Sequence, residues 1–178
     1  MFSHFSHLQA FILLNDIRSV YNVGSIFRTA DAAGVNGIYL AGHSPTPLDR
    51  FGRKRNDVAK VALGAEEIIP WQYAEDPMVF IKAFRKDWGK RGAIVAVEQH
   101  KKSLDYKTVR EKLEKKFGKA SKDEQCAILF VMGNEVEGVD KKVLKEADII
   151  AEMSQRGKKE SLNVSVAAGI ALFRILNI

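Results

Sequence analysis

Residues 126–138 read "CAILFVMGNEVEG". The first part is apolar without alternation, which is the pattern of a short strand buried on both faces. Strands of that kind belong to parallel sheets covered by helices on both sides. The run stops at Gly133, and the polar residues Asn134 and Glu135 follow. A glycine at a strand's carboxyl end either makes a tight turn or lets backbone groups approach a ligand, and both readings stand at this point. Cys126 is the lone cysteine, so it has no internal disulfide partner. Its neighbours make it a buried strand residue rather than a nucleophile, and a reducing cytoplasm is its natural home.

Working outward, "AFILLN" (10–15), "GIYLA" (37–41), "AIVAVE" (93–98) and "DIIAEM" (148–153) read as further strands. Helical patterns occupy 22–35, 76–88, 106–118 and 140–147, and "NVSVAAGIALFRIL" closes the chain. Strands alternating with helices predict an α/β fold on a parallel sheet, with ligands bound beyond the carboxyl ends of the strands. At 178 residues and 46% hydrophobic, the chain suits one well-buried core and a single domain spanning 1–178. The polar stretch "GKASKDEQ" (118–125) reads as a surface loop.

Lys and Arg number 28 against 22 Asp and Glu, a formal charge of +6 that suits a polyanionic partner such as nucleic acid. No apolar run reaches the length of a membrane span. The start, "MFSHFSHLQAF", has neither the basic region nor the cleavage site of a secretory signal. Phosphate-loop, zinc-protease and hydrolase-elbow motifs are absent from the sequence, and Cys and His are too scattered for a zinc site, so no metal is expected. His4 and His7 read as solvated near a terminus. His43 and His100 stand in polar loops without an evident acidic partner, which argues against His-driven chemistry.

Two other stretches carry chemistry. In "NVGSIFRTADAAG" (22–34), Asn22 reads as a helix cap. Arg28 is crowded by Ile26, Phe27 and Ala30, and a guanidinium there calls for a carboxylate or phosphate partner. In "MSQRGKKESLNVSV" (153–166), a basic glycine loop runs into a Ser/Asn-rich helix start, a natural site for an anion or polar ligand. Capping alone accounts for Ser161 or Asn163, though not for the whole arrangement.

In order along the chain, "NVGSIFRTADAAG" (22–34), "FVMGNEVEG" (130–138) and "SLNVSVAAGIAL" (161–172) resemble motifs 1, 2 and 3 of the SpoU/TrmH class of SPOUT RNA methyltransferases. "KVALGAE" (60–66) also resembles a segment between motifs 1 and 2, so the similarity covers nearly the whole chain. The resemblance implies a parallel-sheet α/β fold with a C-terminal deep trefoil knot, an exception to the rule that chains do not knot. It implies a homodimer with active sites near the interface. The implied reaction is methyl transfer from S-adenosylmethionine to a ribose 2′-hydroxyl of tRNA or rRNA. By matching position, Arg28 is the principal catalytic residue and Asn22 its companion, while Glu135, Ser161 and Asn163 complete the catalytic set. Gly133, Met153 and Leu162 match the donor-binding positions, largely through backbone contacts.

A ribose hydroxyl is a weak nucleophile, so the site must position it in line and stabilise the developing alkoxide. Arginine is very hard to deprotonate, so Arg28 is better read as binding the adjacent phosphate and stabilising the alkoxide than as a base. One departure is Ser154, which stands where the family often has a proline that would stiffen the loop. With no separate RNA-binding extension in view, recognition falls to "DRFGRKRND" (49–57), where Arg50, Arg53, Lys54 and Arg55 could grip phosphates while Phe51 stacks on a base. The same stretch also reads as a solvated basic loop. Two rival readings are methylation of a base nitrogen and a non-catalytic RNA-binding or ribosome-assembly protein that keeps the fold.

Overall fold

The structure is a computed structural model that describes residues 8–118 and 124–178. His4, His7 and part of the polar 118–125 loop lie outside the described residues. Along the chain, the strands are β1 (Leu8–Asn15), β2 (Gly37–Ala41), β3 (Trp71–Ala74), β4 (Gly92–Val97), β5 (Leu104–Asp105), β6 (Cys126–Met132) and β7 (Ile149–Glu152). The helices are α1 (Val20–Ala32), α2 (Asn56–Ala62), α3 (Ala65–Ile68), α4 (Met78–Trp88), α5 (Tyr106–Phe117), α6 (Lys141–Leu144) and α7 (Val164–Leu176).

β6 is buried along its whole length, as its unalternating sequence demands. It lies at the centre of a seven-stranded sheet of order β3-β2-β1-β6-β4-β7-β5. Among the described residues, each pairing between these strands is parallel. Successive side chains alternate between the faces. Ile12, Leu14, Val95, Ile128 and Phe130 meet α1, α5 and α7 on one side. Leu13, Ile94, Ala96, Leu129 and Val131 meet Phe80, Ile81 and Phe84 of α4 and Val143 of α6 on the other. Cys126 is buried, and burial pushes its thiol pKa up, as suits an inert strand residue.

The register puts Leu14, Met132, Val97 and Ala151 in one row across four strands. The loops that leave β1, β4, β6 and β7 therefore emerge side by side at one edge of the sheet. Several boundaries differ from the sequence reading. α1 begins two residues before Asn22, capped by Ser19, whose hydroxyl accepts from the Asn22 N–H. Asn22 is thus not the cap but a buried residue of the first turn. The 140–147 pattern yields only one turn of helix, capped by Asp140. β3 and β5 are edge strands too short and too exposed to leave a pattern, and α2 and α3 are similarly short.

Candidate active site

Beyond the carboxyl ends of β4, β6 and β7 lies a cavity of about 560 Å³. Its wall includes Gly133, Glu135, Met153, Ser161, Leu162 and Asn163, so six of the residues singled out in the sequence meet here. Gly133 opens a small hairpin closed by a pair of bonds between Asn134 and Gly138, with N···O distances of 2.9 and 3.0 Å. The Asn134 side chain accepts from the N–H groups of Val136 and Glu137 and donates to the Asp16 carbonyl at 2.7 Å. A Cβ added at Gly133 would lie 2.3 Å from both Gly138 C and Val139 N. The turn reading of this glycine holds, and the missing side chain makes room for the Gly138–Val139 backbone.

A single hydrogen-bonded chain connects the motifs. The Asn163 amide donates to Asn22 Oδ1 at 3.0 Å, and Asn22 Nδ2 donates to Glu135 Oε1 at 2.8 Å. Glu135 in turn accepts from the backbone N–H groups of Arg18 and Ser19 at 3.0 and 3.1 Å. These donors precede α1, so the carboxylate complements the positive end of that helix. Burial acts to raise the Glu135 pKa, but the N–H groups of Arg18 and Ser19 and the Asn22 amide favour the charged form. The net shift is downward from 4.5. A lowered carboxylate pKa stabilises the fold above the unfolded-state value and loses that contribution as pH falls through the folded-state value. The stability advantage of wild type over Glu135→Gln is therefore expected to be constant near neutral pH and to shrink below pH 4.5 in urea titrations.

Asn163 also caps α7, its Oδ1 accepting from Ser165 N at 2.8 Å and Val166 N at 3.4 Å. Ser161 takes no part in the cap and faces the cavity instead. Asn163→Ala should lower stability by about 1 kcal/mol, read as a lower melting temperature. Asn163→Asp keeps the cap and should recover part of the melting temperature, but it sets a carboxylate oxygen against Asn22 Oδ1 in place of the amide donor, so activity should stay depressed. Met153 is buried, and its carbonyl accepts from Gln155 Nε2 at 2.7 Å, a restraint on the loop where proline is replaced by Ser154.

Arg28 is not part of the cavity wall. It is exposed on α1, about 9 Å further along the axis than Asn22. Among the described residues, its guanidinium has no hydrogen-bond or ion-pair partner. The 49–57 loop contributes no residue to the cavity wall either. There Arg53 pairs with Asp49, Arg55 with Asp57, and Lys54 with Glu67 and Glu66. The Arg50 and Arg53 guanidinium groups lie 4.7 and 5.0 Å from the Phe51 ring centroid. His43 does have an acidic partner: its Nδ1 lies 2.7 Å from Asp16 Oδ1. The parallel register of β1 and β2 joins the two, which are 27 positions apart. No group of three or more His, Cys, Asp or Glu is placed to hold a metal among the described residues.

The model of the SpoU rRNA Methylase family matches residues 9–173. The chain belongs to this family. It is 30% identical over 177 residues to the 23S rRNA (guanosine-2′-O-)-methyltransferase RlmB of Pseudomonas aeruginosa, covering 93% of this chain and 57% of that protein. The AdoMet-bound rRNA methyltransferase of Sinorhizobium meliloti superposes with a TM-score of 0.77 at 28% identity, over 95% of this chain and 56% of that one. The A. aeolicus TrmH/SpoU tRNA modifying enzyme gives 0.71 at 26% identity, over 96% and 74%. The chain thus spans little more than half the length of the first two SpoU relatives.

Proposed function

We propose that this chain transfers a methyl group from S-adenosylmethionine to a ribose 2′-hydroxyl of tRNA or rRNA. The observation that carries the reading is the Asn163–Asn22–Glu135 chain, whose two ends are in the cavity wall and which ties the three family motifs together. The cavity falls in the size range of small-molecule sites, and Gly133 and Gly138 are both in its wall. Gly133, Met153 and Leu162 would hold the donor, whose sulfonium supplies an already activated methyl group. The guanosine-2′-O-methyltransferase activity of the Pseudomonas relative supports a ribose 2′-oxygen target, and the AdoMet bound to the Sinorhizobium relative supports this donor. An exposed arginine outside the cavity favours a contact with RNA. Arg28 binds the phosphate next to the target ribose and stabilises the forming alkoxide. Ser161, free of the helix cap, orients the nucleotide.

Residues 1–178 work as one catalytic domain in the cytoplasm; among the described residues, no helix is long and apolar enough to cross a membrane. The C-terminal segment is knotted in this reading. Val97 and Leu104 both pair with Ala151, so the 98–103 link must cross one face of β7, and Gln99 donates to the Glu160 carbonyl beyond it. Such a crossing is what a threaded C-terminus requires. Of the basic loop, Arg50 is the cation that meets RNA most directly, since acids already neutralise Arg53, Lys54 and Arg55. The Phe51 ring carries guanidinium groups where a base would have to stack.

The working unit is a homodimer. Val166, Ile170 and Phe173 form an exposed apolar row on α7, at the spacing of one helix face, beginning next to the Asn163 cap. Sedimentation equilibrium should give a dimer, and Phe173→Glu should give a monomer with greatly reduced transfer. The reaction class is tested by calorimetric binding of S-adenosylmethionine and by transfer of its labelled methyl group to unmodified tRNA and rRNA. Binding and transfer are expected. A protein that binds RNA but not the donor would be a non-catalytic RNA-binding protein.

A further inference from the structure

The sequence motifs leave out Glu98, the first residue after β4, yet it forms part of the cavity wall. The Glu98 N–H donates to the Ala151 carbonyl at 3.0 Å, which fixes its backbone to β7. Its side chain reaches the other way. Oε2 accepts from the Val139 N–H at 2.8 Å, and Oε1 accepts from the Gln99 N–H at 2.8 Å. Between this carboxylate and Gly133 there is no room for any side chain. A Cβ at Gly138, where φ is +72°, would lie 2.2 Å from Glu98 Oε2. Glu98, the Gly138–Val139 backbone and Gly133 are thus stacked in direct contact.

We infer that Glu98 is a positioning residue, clamping the returning side of the 134–138 hairpin against the end of β4 so that Glu135 at its tip keeps its grip on Asn22 and the start of α1. The hairpin is then held from two sides by carboxylates. Glu98 ties it to β4 and β7, and Glu135 ties it to Arg18, Ser19 and Asn22. Each carboxylate uses both oxygens as acceptors of N–H groups. A carboxamide of the same shape supplies one acceptor and one NH2 group, so it must present a donor to one of the two N–H groups that Glu98 satisfies. The clamp therefore needs a carboxylate.

The inference rests on reading the cavity as the donor site, and the test separates the two. Glu98→Gln is examined by residue-resolved amide hydrogen exchange and by steady-state kinetics at saturating donor and RNA. In the wild type, the Val139 amide should be strongly protected; rapid exchange there would overturn the inference without any variant. In Glu98→Gln, protection should fall at Val139 and also at Arg18 and Ser19, remote in sequence and reached only through Glu135. The amides of β1 and β6 should stay protected. The loss of a well-placed acceptor should lower kcat by about ten- to a hundredfold. Unchanged exchange at Arg18 and Ser19, or a wild-type kcat, would show that Glu98 does not act through Glu135. Failure of the wild type to bind S-adenosylmethionine would instead defeat the donor-site reading, and the exchange result would still decide the role of Glu98.

Discussion

Arg28→Ala is expected to reduce kcat by about a hundred- to a thousandfold, the usual effect of removing one preorganised group that stabilises a developing oxyanion. Donor affinity should be unchanged, because Arg28 is not part of the cavity wall. The melting temperature should hardly move, because the guanidinium is exposed and has no partner among the described residues. That combination of low kcat, intact donor binding and intact fold identifies an interaction made with RNA during transfer. Arg28→Lys keeps the charge but loses the planar fork that meets a phosphate through two donors, so it should recover only a small part of the rate. Near-normal transfer by the lysine variant would remove the bidentate contact from the account. Near-normal transfer by the alanine variant would remove Arg28 altogether.

Gly133→Ala should act at the other end of the reaction, on the donor. The added Cβ would meet Gly138 C and Val139 N at 2.3 Å, and both are backbone atoms that no rotamer change can move aside. The hairpin must shift as a whole, which breaks its register with Glu98 and draws Glu135 from the Asn22 amide. Overpacking of this kind destabilises by about 1–3 kcal/mol. The larger consequence is loss of donor binding, which calorimetry reads directly. Gly157→Ala is the matched control in the motif 3 loop: nothing lies within 4 Å of a Cβ built there, so stability and binding should both be preserved. Equal donor affinity for wild type and Gly133→Ala would mean that the hairpin backbone does not shape the donor site.

The parts of this molecule that were legible in the sequence are those set by local pattern. The unbroken run of β6 gives a doubly covered strand, and the shorter runs give its neighbours, so the parallel sheet follows from hydrophobic patterning. The family motifs point to Asn22, Arg28, Gly133, Glu135, Met153, Ser161, Leu162 and Asn163 as one site; the cavity wall holds the last six, Asn22 reaches it through hydrogen bonds, and Arg28 is not part of it. The frame that connects them was not legible. Asn22 meets Glu135 across 113 positions and Asn163 across 141, contacts created by strand order rather than by spacing along the chain. Distance along the chain also hid the partner of His43. Asp16 reaches it because β1 and β2 run in register, with Asn15 beside Ala41.

The basic loop is a case where local acids change the reading of its cations. Asp49 and Asp57 stand within the same quoted stretch as the arginines they neutralise, so a count of both signs would have tempered the RNA-binding reading. Glu67, which pairs with Lys54, lies further along and could not have been assigned in advance. The motif alone points to Asn22 as a cap because Ser19, an equally good capping residue and the one that makes the bond, lies just before the motif boundary. At the other end of the site the sequence leaves the cap open between Ser161 and Asn163; Asn163 alone makes it, because it directly precedes α7 and its side chain accepts from the first turn.

The most direct test of the account is the chemical location of the transferred methyl group. The protein is incubated with labelled S-adenosylmethionine and unmodified tRNA and rRNA, the RNA is digested to nucleosides, and the labelled product is fragmented by mass spectrometry. The account predicts that the label stays with the ribose fragment and that the modified linkage resists alkaline cleavage, because its 2′-oxygen can no longer attack the adjacent phosphate. Label on the base fragment, with the linkage still alkali-sensitive, would contradict the ribose chemistry assigned to this site and the role given to Arg28.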